Sequence, residues 1–168
     1  MDAPRIYVAC LAAYNSGYLH GEWIPADQSS NDIRNDIQKM LAASPIEKAE
    51  EWAIHDYEGF GDKSLSEWED INSIVSLAEF MARYGELGGA LLGEYSVEEA
   101  ETLMADHYQG SYNSEVDFAE TILDDCYSNA IPKNLIYYFD YDAFARDLFI
   151  NDYFSVEADG QTHVFSNY

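Results

Sequence analysis

Positive charge is the scarcest ingredient of this 168-residue chain: 8 Lys and Arg stand against 32 Asp and Glu, a formal net charge of −24. Such a chain cannot neutralise phosphates, which disfavours direct binding to nucleic acid or to an anionic membrane surface. Cysteine is nearly absent as well. Cys10 and Cys126 form no C-x-x-C pair and no disulfide framework, which fits a reducing cytoplasm. Long apolar runs are missing: Ile6–Tyr14 is too short to cross a bilayer. Only Ile6–Ala9 separate Arg5 from Cys10, and Asp2 spoils a basic leader, so a lipid-attachment signal is rejected. The expectation is a soluble, cytoplasmic protein with no membrane partner.

Motifs for chemistry are equally sparse. There is no phosphate-binding G-x-x-x-x-G-K, no G-x-S-x-G elbow and no dinucleotide fingerprint. His20, His55, His107 and His163 are scattered without H-x-x-x-H spacing or a neighbouring Cys, so they read as structural. Asp140-Tyr141-Asp142 begins like a calcium loop, but Ala145 stands where Gly is required and Asn151 where a bidentate Glu belongs. A carboxylate pair for hydrolysis could hide among so many acids, yet chance alone supplies such pairs. The reading is a non-enzyme with no catalytic, cofactor or metal residue; a carboxylate-based hydrolase is the third alternative.

What is present is a folding composition. Apolar residues make up 48% and aromatics 15%, including 14 Tyr, which an intrinsically disordered acidic chain lacks. Residues 5–14 and 18–24 read as strands. A helix capped by Ser30 or Asn31 runs to about Ala43, with Ile33, Ile37, Met40 and Leu41 at helical spacing. Ser44-Pro45-Ile46-Glu47 and Ser64-Leu65-Ser66-Glu67 read as capping boxes, the first opening a short helix. Between them, Trp52–Tyr57 is a third strand. Ser73 begins a helix ended by Gly85, a glycine-punctuated stretch follows, and Ser96-Val97-Glu98-Glu99 opens the next helix.

Further on, His107–Tyr112 reads as a strand, Ser114 caps a helix, and Asp140–Phe149 is helical with Phe144 and Leu148 at i,i+4. Tyr153–Glu157 and Thr162–Phe165 form a hairpin around Asp159-Gly160, with a longer loop. The fold class is α+β, in three small modules: α+β over 1–61, helical over 62–103, and α+β over 104–168.

The negative charge is not a tail. The three modules carry −6, −8 and −10 in order. Glu47, Glu67, Glu98, Glu99 and Asp117 fall in first turns, where they cap or complement the helix dipole. Capping leaves Glu120 and Asp124 unexplained; with Asp117 they lie at i, i+3, i+7 on one helical face. Glu98 and Glu101 repeat the pattern at i,i+3. Each like-charge pair costs a helix about 0.2–0.5 kcal/mol, and solvated faces normally mix both signs. Duplex DNA carries one charge per about 1.7 Å, so 24 charges match roughly 40 Å of it. The density is of the order needed to imitate DNA, and abundant Tyr supplies apolar contact with a polar tip.

Specific motifs agree. Ile6-Tyr7-Val8 is followed by Tyr14-Asn15-x-Gly17-x-x-x-Gly21-x-Trp23, then by Ile54-His55-Asp56-Tyr57-Glu58-Gly59-Phe60. The C-terminal part carries Ile131-Pro132, Tyr141-Asp142-Ala143-Phe144-Ala145-Arg146-Asp147-Leu148, Asp152-Tyr153-Phe154 and His163-Val164-Phe165. In these segments the chain resembles the ArdA-type antirestriction proteins, DNA mimics that block type I restriction–modification enzymes. The resemblance implies an elongated three-part protein, carried on mobile genetic elements, that dimerises through residues 104–168 and imitates bent B-form DNA. It carries over no catalytic residue. Gly17 and Gly21 read as turn glycines, and Trp23 and Phe144 as core.

The reading is therefore a competitive inhibitor that fills the basic DNA-binding groove of a type I enzyme. Glu98, Glu101, Asp106, Asp117, Glu120, Asp124 and Asp125 stand among its phosphate substitutes. The alternative is an acidic binding module for another basic DNA-binding protein.

Overall fold

Alternation along the first strand decides the N-terminal architecture. The computed structural model describes residues 3–127 and 130–167. Ile6 and Val8 of β1 (Arg5–Cys10) are fully buried. β1 is the middle strand of a three-stranded antiparallel sheet, flanked by β2 (Gly21–Pro25) and β3 (Trp52–Glu58). The register sets Ile6 opposite Ile24 and Val8 opposite Ile54, so one face of the sheet is aliphatic. Onto β1 and β2 packs α2 (Ser30–Ala42), burying Ile33, Ile37, Met40 and Leu41. Its cap is Ser29, one residue before the expected one, whose Oγ accepts the Asp32 N–H at 3.2 Å.

The strand expected over residues 5–14 stops at Cys10, and Leu11–Asn15 turn into a single short helix, α1. The other face of the sheet is aromatic. Tyr7 lies opposite Trp23 with ring centroids 5.5 Å apart, and the Arg5 guanidinium sits 4.6 Å above the Trp23 ring. Trp23 is therefore half-buried on this face and not in the core. Gly21 is not a turn residue: a Cβ there would lie 2.6 Å from the Val8 carbonyl oxygen, beneath the Tyr7 ring.

Neither early capping box starts a helix, so Glu47 and Glu67 have no helix dipole to complement. The Ser44 hydroxyl does accept the Ile46 N–H at 3.2 Å, but the chain then turns through Lys48, whose φ is 59°. The Ser66 hydroxyl accepts the Trp68 N–H in a lone turn. The true start is Asp70, whose carboxylate accepts the Asn72 N–H at 2.9 Å and caps α3 (Ile71–Glu94).

Gly85 interrupts α3 as expected, at a non-helical φ 59° and ψ −134°, but the glycine-punctuated residues beyond it form a second helical stretch. The glycines that follow are helical, and the lack of a side chain there lets another segment come close. A Cβ on Gly61 would meet Gly89 Cα at 2.8 Å, nearer than side chains tolerate.

The chain forms two compact units, Met1–Val97 and Glu98–Tyr168. The second begins with α4 (Val97–Thr102), opened as expected at Ser96, and a π-helical turn over Leu103–His107. Its sheet is antiparallel in the order β4 (Tyr108–Tyr112), β6 (Gln161–Ser166), β5 (Tyr153–Ala158). β5 and β6 pair from Tyr153–Ser166 to Ala158–Gln161, so the hairpin loop is two residues long, shorter than expected. Asp159 and Gly160 take φ of 52° and 70°, the left-handed pair that matches strand twist.

Ser114 and Asp140 cap α5 (Glu115–Tyr127) and α6 (Tyr141–Asn151), their side-chain oxygens accepting the Asp117 and Ala143 N–H groups. These two helices pack together. Phe144 is half-buried, against Phe139, and Ala145 is the buried residue of α6.

Phe118 is the centre of this second unit. It is 1% exposed and meets the rings of Tyr112, Phe149 and Tyr153 at 5.0, 5.8 and 4.8 Å. Phe118→Ala should destabilise the unit by about 3–5 kcal/mol through lost burial and the cavity left behind. Denaturant titration followed by circular dichroism measures it, and a loss below about 1 kcal/mol would show that the site is not a core.

Candidate acidic interaction surface

Carboxylates outnumber cations fourfold, so most of them can be kept only in water. Of the 31 described Asp and Glu, 26 are exposed, five are half-buried and none is buried. Some have local partners. Arg5 donates to Glu58 at 2.8 Å, beside Trp23. Lys39 donates to Asp36 at 2.8 Å. That bond, then one from Gln28, holds the Asp36 carboxyl below its ordinary value. Glu69 accepts from the Ser73 hydroxyl and the Ser66 N–H. The acid surface thus contains a minority of fixed structural carboxylates.

The seven residues expected to form the surface all lie in the second unit. Glu98 and Glu101 are on α4, Asp106 is in the π-helical turn, and the other four are on α5. Glu98, Asp106, Glu120, Asp124 and Asp125 are exposed; Glu101 and Asp117 are half-buried. On α5 the core face is Phe118, Ala119 and Leu123. At 100° per residue, Asp117, Glu120 and Asp124 fall within about 60° of one another on the opposite face. Asp125 lies roughly a quarter turn away from Asp124. Along the axis the three acids rise by about 4.5 and 6 Å, the order of the 3.4 Å axial spacing of phosphates on one strand.

Asp117 is not purely a surface charge. Its Oδ2 accepts the Asn113 N–H at 3.1 Å and the Asn113 side-chain amide at 3.0 Å, while its own N–H is held by Ser114. This reciprocal cap explains why a carboxylate stands there. No such cap reaches Glu120 or Asp124, deeper in the helix.

Exposed acids of the same kind were passed over on α6. Asp142 and Asp147 are exposed, as are Asp152, Glu157 and Asp159 in and around the hairpin. The signal for them was the −10 charge of residues 104–168; the i, i+3, i+7 pattern selected only α5. Among the described residues no group of three or more His, Cys, Asp or Glu is placed to hold a metal ion, and no helix is long and apolar enough to cross a membrane.

Residues 6–162 match the family model described as antirestriction protein (ArdA), nearly the whole chain. A comparison with curated proteins returns no match.

Unneutralised like charge makes folding salt-sensitive, because ions screen repulsion beyond a Debye length of about 10 Å at 0.1 M. Raising sodium chloride from about 0.02 to 0.5 M should therefore raise the melting temperature, by on the order of 5 °C. Differential scanning calorimetry checks this, and an unchanged or lower melting point would show that repulsion does not limit stability.

Proposed function

The chain belongs to the ArdA antirestriction family, a family of inhibitor proteins rather than catalysts, and on that premise we propose that it is a DNA mimic. It inhibits type I restriction–modification enzymes in the cytoplasm by occupying their basic DNA-binding groove. The observation that carries this reading is the outward row Asp117, Glu120 and Asp124, set opposite the α5 core face. Helix stability accounts for Asp117 as a cap but selects against Glu120 and Asp124 beside it: the row's members repel one another, and no Lys or Arg occurs anywhere in α5. A basic groove would turn the same charges into attraction, with counterions released from both surfaces.

In this mechanism no single residue dominates. Glu98, Glu101, Asp106, Asp125, Asp142 and Asp147 extend the field, and a half-buried cap such as Asp117 contributes while holding its helix. Purified protein added to a type I enzyme should suppress both DNA binding and ATP-dependent cleavage. The suppression should weaken steeply as salt rises, whereas Glu120→Gln alone changes it by less than about threefold. Full activity of the enzyme in excess protein, with a DNA competitor still effective, would refute the mechanism.

We also propose that residues 104–168 form a homodimer. Supporting this, large exposed apolar side chains recur between Tyr127 and Ile150: Leu135, Tyr137 and Tyr138 lie between them, Tyr137 at 89% exposure and Tyr138 at 85%. Exposed aromatic and apolar side chains of this kind are enriched at protein interfaces. The double change Tyr137→Glu/Tyr138→Glu should convert the dimer to monomer in sedimentation equilibrium. A monomeric unsubstituted protein at tens of micromolar would overturn the dimer.

A further inference from the structure

Within the first unit lies a cavity of about 470 Å³ whose lining does not resemble a row of phosphates. Two indoles, Trp52 and Trp68, share it with Glu50, Glu51, Glu69 and the single cation Arg34. Asp70 adds a fourth carboxylate, so the walls carry three more negative charges than positive. The volume is that of an ordinary ligand pocket.

The elements explain how the pocket forms. Trp52 opens β3, and Glu50 and Glu51 lead into it. The segment carrying Trp68 is tied to the same strand, Ile54 donating its N–H to the Glu67 carbonyl at 3.0 Å. Glu69 and Asp70 are held there by the caps of the turn and of α3. Glu50 and Glu51, by contrast, form no side-chain hydrogen bond with any described residue. Trp68 is 63% exposed, a large apolar ring that the fold leaves in water.

An indole face attracts a cation, and best a weakly hydrated planar one that can stack on the ring. Carboxylates lining the same cavity match the fork of a guanidinium, which donates two parallel N–H bonds. The geometry points to a receptor pocket for the guanidinium of an arginine side chain presented by a protein partner. The guanidinium stacks against Trp68 and Trp52 and donates to Glu50 or Glu51, while its aliphatic stem leads out to solvent. A protein side chain fits better than a free small molecule because the lining holds no buried polar group to grip a ligand's other end. The pocket is independent of the antirestriction reading, since it is a property of the chain alone.

The test titrates the full-length protein with a capped tetrapeptide containing one arginine, and with the same peptide carrying citrulline, which keeps the shape and loses the charge. The three indole N–H signals are followed by NMR. The Trp52 and Trp68 signals should shift saturably with the arginine peptide, and the Trp23 signal, on the sheet face beside Arg5, should not. Trp68→Ala and the pair Glu50→Gln/Glu51→Gln should each weaken binding about tenfold or more. The pair Asp124→Asn/Asp125→Asn removes the same formal charge from α5 and should leave affinity within about twofold.

Equal shifts with the citrulline peptide, or equal weakening by the two charge-removing pairs, would overturn the pocket and leave only general attraction to a polyanion. Tighter binding of agmatine than of the arginine peptide would overturn the assignment to a protein side chain.

Discussion

The shortage of cations governs this molecule. With 8 Lys and Arg for 32 Asp and Glu, at least 24 carboxylates have no side-chain countercharge available, and a buried unpaired carboxylate is prohibitively costly. Water must solvate them. The carboxylates are therefore obliged to lie on outer faces, and apolar residues must close each core from within. The outcome is two units with small cores: an aromatic cluster around Phe118 in one, and the aliphatic Ile6, Val8 and Ile24 face of a sheet in the other. Not one described carboxylate is buried.

Caps and surface charge use the same residue types for opposite ends. Asp70, Asp117 and Asp140 satisfy N–H groups at helix starts, so their position follows from local backbone chemistry. Glu120 and Asp124 have no such role, and they are the residues at which stability and binding pull apart. A single-sign face is expensive for the isolated helix and useful only against a positive surface. That conflict between local stability and a preserved charge pattern is what makes a surface without a cleft readable as a site. The Trp-lined cavity is of a different kind, since it depends on concavity and aromatic faces as well as on charge.

The strands, the amphipathic helices and the hairpin were legible because each rests on a short-range signal. Period-two alternation marks β1, helical spacing of Ile33, Ile37, Met40 and Leu41 marks α2, and Asp159-Gly160 marks the turn. The misreadings arose where a local signal needed a long-range partner. Ser44 and Ser66 accept N–H groups only two residues on, from Ile46 and Trp68, and each stands in a lone turn with no helix beyond it. Gly85 carries the left-handed φ of a helix stop and does interrupt the helix, but the glycine-punctuated residues after it are helical, with Leu87, Leu91 and Leu92 buried. Trp23 reads as core in the sequence, but its partner Tyr7 and the Arg5 guanidinium hold it half-buried on the outer face of the sheet.

Sequence by itself determined the charge, the obligation to expose it, the types of most elements and the family, because composition, periodicity and ordered motifs are properties of the chain. Tertiary structure alone decided which capping motifs became helices and which of the seven chosen acids doubles as a cap. It also decided that Glu50, Glu51, Trp52 and Trp68 share one cavity. Those outcomes depend on which surfaces meet in space, and a helix too short to stand in water forms only where another element covers its apolar face.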